Sequence, residues 1–141
     1  MYYDNKRVSN YSLVSIPVGT AGTYLNFNFP DQPQLRGRKV ERIVSYNSAQ
    51  LPTSPDGQAL IPPADLQHCY LVLYIDGRED IKISLPHLST ISSVSGASVV
   101  NVNGYVPLQD VNIIWEKSYV KAPRGIAVAA NSAFCFGVFY K

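Results

Sequence analysis

The sequence predicts an all-β domain, and three observations carry that reading. Apolar residues recur with period two in several short segments, no long window sustains the i, i+3, i+4, i+7 spacing of an amphipathic helix, and turn-forming residues punctuate the segments at short intervals. Side chains alternate between the two faces of a strand, so each such segment can bury one face and leave the other outside. Eight or nine short strands in one domain imply a sandwich or a barrel.

Taken in order, strands are expected near 11–18, 23–29, 39–46, 67–75, 79–85, 98–103, 111–120, 125–130 and 133–140. Leu25, Phe27 and Phe29 alternate with Tyr24, Asn26 and Asn28, and Val40, Arg42, Val44 and Tyr46 with Glu41, Ile43 and Ser45. Val111, Ile113 and Trp115 share one phase, which places Trp115 in the core rather than on a platform; Phe134, Phe136, Val138 and Tyr140 share another. Gly19–Gly22, Pro30–Pro33, Asp76-Gly77, Asn103-Gly104, Pro123–Gly125 and Asn131-Ser132 read as turns. Two intervals are longer than a hairpin needs: Asn47–Leu66, with four prolines and an SPDG turn, and the serine-rich His87–Ser98. Each fits either a crossing between sheets or a contact element. No internal repeat is visible.

With 141 residues the chain fits one domain, residues 1–141, with 1–10 as an N-terminal arm and 47–66 as a long proline-rich loop. Charged residues are 16% of the chain and the net charge is +2, a balance that advertises no polyanionic partner. The start, MYYDNKRVSNYS, lacks the apolar core of a secretory signal, and the longest apolar run, Tyr70–Ile75, is far shorter than the ~20 residues that span a bilayer. A soluble protein made in a reducing interior, without a membrane partner, is the expectation, since Cys69 and Cys135 form no disulfide framework.

The reactive residue types concentrate in DLQHCYLVLYIDGREDIKISLPHL, residues 65–88. A two-residue Asp76-Gly77 loop would pair Leu71 with Lys82 and Leu73 with Asp80, so an odd loop over Ile75–Gly77 is expected, with Leu71 facing Ile81 and Cys69 facing Ile83. Cys69, Leu71, Leu73, Ile81 and Ile83 then line one face, and His68, Tyr70, Val72, Tyr74, Lys82 and Ser84 the other. His68 and Cys69 diverge, and His87 follows Pro86 into the next loop. Neither a zinc ligand set nor a pair of cooperating carboxylates results, and no G-x-S-x-G elbow is present. The expectation is no catalytic residue, metal or cofactor.

Arg36, Arg38, Lys39 and Arg42 in LRGRKVER are read as a solvated strand entrance rather than a nucleic-acid patch. Ten tyrosines suit half-buried sheet faces and also interfaces. The candidate interface residues are Tyr70 and Tyr74 on the outer face of the hairpin, Tyr2 and Tyr3 of the N-terminal arm, and Leu51, Pro52, Pro55, Pro62 and Pro63 of the proline-rich loop, since loops and termini are where contacts are easiest to build.

The succession L-x-G-R-K-V-x-R-I, a proline-rich loop with SPDG, YLVLYIDGREDIKISLPHL, VNIIWEKSYVK and the closing AFCFGVFYK resembles small jelly-roll virion proteins of bacteriophages, from Leu35 to Lys141. The resemblance implies a jelly-roll sandwich and a non-enzymatic capsid or capsid-associated protein. It further implies homo-oligomers, contacts with other virion proteins through loops and termini, and assembly in a host cytoplasm. A lectin-like carbohydrate-binding sandwich is the alternative, because a jelly roll hosts both kinds of protein.

Overall fold

The computed structural model describes residues 10–49, 51–75, 81–88, 90–95, 98–103 and 106–141. Among these are β1 (Asn10–Val18), β2 (Gly22–Asn28), β3 (Val40–Tyr46), β4 (Ala59–Leu60), β5 (Tyr70–Leu73), β6 (Ile81–Ser84), β7 (Thr90–Ser95), β8 (Ser98–Asn103), β9 (Val106–Val111), β10 (Tyr119–Val128) and β11 (Ser132–Tyr140). Two single-turn helices join them, α1 (Pro63–Leu66) and α2 (Leu85–Leu88). One sheet has the order β1-β11-β3-β9 with β4 beside the start of β11; the other has β2-β10-β5-β6; β7 and β8 form a separate hairpin. The two large sheets face each other, so the molecule is an all-β sandwich.

The alternating residues build the layer between the sheets. Val14, Ile16 and Val18 of β1 and Phe134, Phe136 and Val138 of β11 point into one core cluster with Phe27, Leu71, Leu73 and Val120 of the opposing sheet. Aromatic rings bridge the layers: Phe27 lies 4.6 Å from Phe134, and Phe29 lies 5.4 Å from Phe136 and 5.1 Å from Trp115. At roughly 1.5–3 kcal/mol for each large apolar side chain, this burial is the main source of stability.

Several expectations need correction, each because a long-range partner overrides local pattern. Arg42, Val44 and Tyr46 keep a common phase, but the register shifts between Val40 and Arg42, which moves Val40 to the core side with Ile43 and the buried Ser45. Leu25 does not join Phe27 and Phe29 inside; it is 55% exposed, opposite the stretch of β10 where pairing with β2 skips from Lys121 to Ile126. That skip also explains why 111–120 and 125–130 are not two strands. Pro123–Gly125 is a bulge within the continuous β10, with Gly125 at φ 75°. Upstream, β9 ends at Val111, Ile113 bridges Ile75, and Trp115–Lys117 forms a 3-10 turn, yet Val111, Ile113 and Trp115 are all buried as their shared phase predicts.

The hairpin of β5 and β6 has the expected faces but a register two residues away from that expected. Leu71 pairs with Ile83 and Leu73 with Ile81, whereas Ile75 leaves the pairing to bridge Ile113, so it is not part of a three-residue loop. Asp76 and Gly77 lie outside the described residues. In the serine-rich interval Thr90–Ser95 is a strand, paired with Ser98–Asn103 from Thr90↔Asn103 to Ser95↔Ser98. The proline-rich interval is likewise built rather than loose: β4 runs parallel to β11, and Ile61 N–H donates to the Ala133 carbonyl at 3.1 Å.

Candidate functional site

The described histidine and cysteine of residues 65–88 are set apart in the fold. His68 is exposed in the turn that follows α1, and Cys69 is 2% exposed in the core. Both precede β5, so the turn and not strand alternation separates them, a correction to the strand expected from residue 67. The Cys69 thiol donates to the Asp65 carbonyl at 3.4 Å, and burial, with the Asp65 charge adding, pushes its pKa up to about 11. Burial also pushes the Cys135 thiol up to about 11, and both cysteines are free. A thiol held protonated in this way is a poor nucleophile. No cluster of three or more His, Cys, Asp or Glu side chains able to hold a metal ion occurs among the described residues. No helix among them is long and apolar enough to cross a membrane.

The residues expected at an interface are distributed around the molecule. Pro52, Pro55, Pro62 and Pro63 are exposed on the connection between β3 and β5, Leu51 is half-buried there, and Tyr2 and Tyr3 lie outside the described residues. Tyr70 and Tyr74 are half-buried on the outer side of β5, where Lys117 Nζ lies 4.9 Å from the Tyr74 ring centre. Val72 between them is 1% exposed, so this side is more covered than a free strand face. Ser118 fixes the nearby turn: its Oγ accepts from Tyr74 N–H at 3.0 Å and its hydroxyl donates to the Ile114 carbonyl at 2.9 Å.

A cavity of about 300 Å³ opens where the β2–β3 connection meets the β9–β10 connection, lined among others by Asp31, Gln32, Arg36, Asn112 and Trp115. Arg36 and Asp31 form an ion pair on its rim, exposed enough to contribute little stability. Trp115 Nε1 is the buried side-chain polar atom without a hydrogen-bond partner among the described residues. Trp115 itself is 2% exposed, so it is a wall of the core and not a stacking platform.

The outer face of the β1-β11-β3 sheet gathers a second group of residues. The register places Tyr11, Phe139 and Arg42 side by side across three strands, with Leu13, Gly137 and Val44 in the next such row and Ser15, Cys135 and Tyr46 in the one beyond. Tyr11 and Tyr46 meet hydroxyl to hydroxyl at 3.0 Å, and Tyr11 lies 4.9 Å from Phe139. Gly137 makes room for them: a Cβ there would stand 2.8 Å from Tyr11 Oη and 3.0 Å from Tyr46 Cε2. The two rings therefore lie down over the glycine, as a glycine inside a strand often permits. Arg42 stacks on Phe139 at 4.1 Å; Arg38 approaches, at 5.7 Å, the ring of Tyr140, which packs against the core and not on this face. Tyr11 is 45% exposed; partial burial, then the bond to Tyr46, raise its phenol above its ordinary pKa.

This face was not among the expected sites, because its members come from strands far apart in sequence. The one local signal was Gly137 within the otherwise bulky AFCFGVFY. No protein-family model, curated protein or solved structure matches the chain. What stands on geometry is the class, an all-β sandwich of two facing antiparallel sheets.

Proposed function

We propose that the chain is a non-enzymatic structural component of a bacteriophage virion, a capsid or capsid-associated protein that self-associates through loops and termini and is assembled in the host cytoplasm. The observation that carries this reading furthest is the strand order. Setting aside β4 and the β7–β8 hairpin, the remaining eight strands, renumbered in chain order, distribute as 1-8-3-6 in one sheet and 2-7-4-5 in the other. Two interlocked Greek keys would produce that distribution, which supports the jelly-roll reading. The resemblance of Leu35–Lys141 to jelly-roll phage proteins supplies the virion. The Asn47–Leu66 segment supports contact through loops, because it is pinned to β11 and presents Pro52, Pro55, Pro62 and Pro63 outward. A rigid, proline-bearing element loses little entropy on docking.

Light scattering of the purified protein after size exclusion tests the reading. A stable closed trimer, pentamer or larger ring is the expected result. A monomer whose melting temperature rises with members of a glycan panel would overturn it in favour of a lectin-like module.

A further inference from the structure

We propose that the outer face of the β1-β11-β3 sheet, with the basic corner beside it, is a binding surface for single-stranded nucleic acid. The inference does not depend on the virion reading. It departs from the expectation drawn from LRGRKVER alone, because the fold brings aromatic rings to those charges.

The charges gather at one corner. Lys141 N–H donates to the Lys39 carbonyl at 2.9 Å, which joins the end of β11 to the start of β3. Arg38, Lys39 and Lys141 are exposed there and Arg42 is half-buried one step along the sheet. Against these four cations stands Glu41, half-buried on β3. The corner is thus more positive than the whole chain at +2, and the rest of the molecule is slightly acidic. A phosphate backbone is attracted to such a concentration of charge and not to the net charge as such.

The rings decide what kind of polyanion fits. Single strands present unstacked bases, and exposed aromatic side chains beside cations are what such bases stack upon. Tyr11 offers a half-exposed ring next to Phe139, and the Arg42 guanidinium already sits over the Phe139 ring, 4.1 Å from its centre. The Tyr11–Tyr46 hydrogen bond and the missing Cβ of Gly137 hold these rings against the sheet, so little ordering remains to be done when a strand arrives. A duplex, with its bases stacked inside, could use the charges but not the rings.

The test is fluorescence anisotropy with a fluorescein-labelled oligothymidylate and, separately, a labelled duplex of equal length, over a salt series from about 50 to 200 mM. The single strand is expected to bind more tightly than the duplex. Tyr11→Ala should weaken it about five- to hundred-fold with an unchanged salt slope. Arg38→Gln with Lys39→Gln, both at exposed positions that leave the fold intact, should reduce the slope by about 1.4, at ~0.7 per lost phosphate contact. Lys82→Gln with Arg124→Gln removes equal charge from exposed positions on the other sheet and should leave affinity unchanged. The proposal is overturned by no anisotropy change up to about 100 µM protein, by equal or tighter duplex binding, or by equal losses in the two charge variants.

Discussion

Replacing Gly137 by alanine adds one methyl group to the most crowded point of the outer sheet face, and its cost can be worked out from the contacts. The new Cβ would meet Tyr11 Oη at 2.8 Å, Tyr11 Cε1 at 2.9 Å and Tyr46 Cε2 at 3.0 Å, all inside ordinary van der Waals range. The Tyr11 ring is the partner free to move, because it is 45% exposed. Swinging it away breaks its bond to Tyr46, at about 0.5–1.5 kcal/mol, and its ring contact with Phe139, at about 0.5–1.5 kcal/mol. Alanine stiffens the unfolded chain and returns about 0.4–1 kcal/mol, since Gly137 is not one of the positive-φ glycines. The net expectation is a loss of about 1 kcal/mol, read by urea denaturation, or a fall of about 2–4 °C in Tm. In a Tyr11→Ala background the main clash is gone, and the same substitution should be neutral or slightly stabilising. An equal cost in both backgrounds, or a gain in the native background, would refute the claim that Tyr11 lies over Gly137.

Two further stability experiments address other parts of the fold. Ser118→Ala removes the acceptor of Tyr74 N–H at a position 1% exposed, and should cost about 1–3 kcal/mol with an unchanged m-value; a loss under ~0.5 kcal/mol would mean that the bond is not formed. The buried thiols make stability pH-dependent. Both ionise near 11 in the folded chain against an ordinary 9.0, so the unfolded state releases its protons first. Their contribution is therefore full below about pH 9 and is lost as pH rises through about 11. The Cys69→Ala/Cys135→Ala protein should lose stability less steeply than the native chain across that window, and parallel declines would sink the assignment.

Much of the sandwich was legible because burial enforces alternation. The phase of β11 could be read directly, and the parity of the β5–β6 hairpin followed from the need to keep Asp80 and Lys82 away from Leu71 and Leu73. Register was harder. Ile75 completes a local hairpin on paper, but in the fold it bridges Ile113, a partner 38 positions away that no short window contains. The strand at Thr90–Ser95 was hidden by Ser92-Ser93, which interrupts the apolar period, and the continuity of β10 by Pro123–Gly125, which reads locally as a turn. The outer face was least legible. Tyr11, Tyr46 and Phe139 acquire a common role only when β11 inserts between β1 and β3.

That insertion has a consequence for how the chain comes off the ribosome. Two of the interior strands, β10 and β11, are the last of the described strands to be synthesised, yet β1 has β11 as its strand partner and β2 has β10. During translation at ~5–20 residues per second, both N-terminal strands wait roughly 5–25 s for their neighbours. Neither NYSLVSIPV nor GTYLNFN contains a charged residue to deter the wrong partner in that interval. The nascent chain is thus most vulnerable to mispairing just before its final two strands emerge, and the order of the sheet makes folding an event that closes from the C-terminal side.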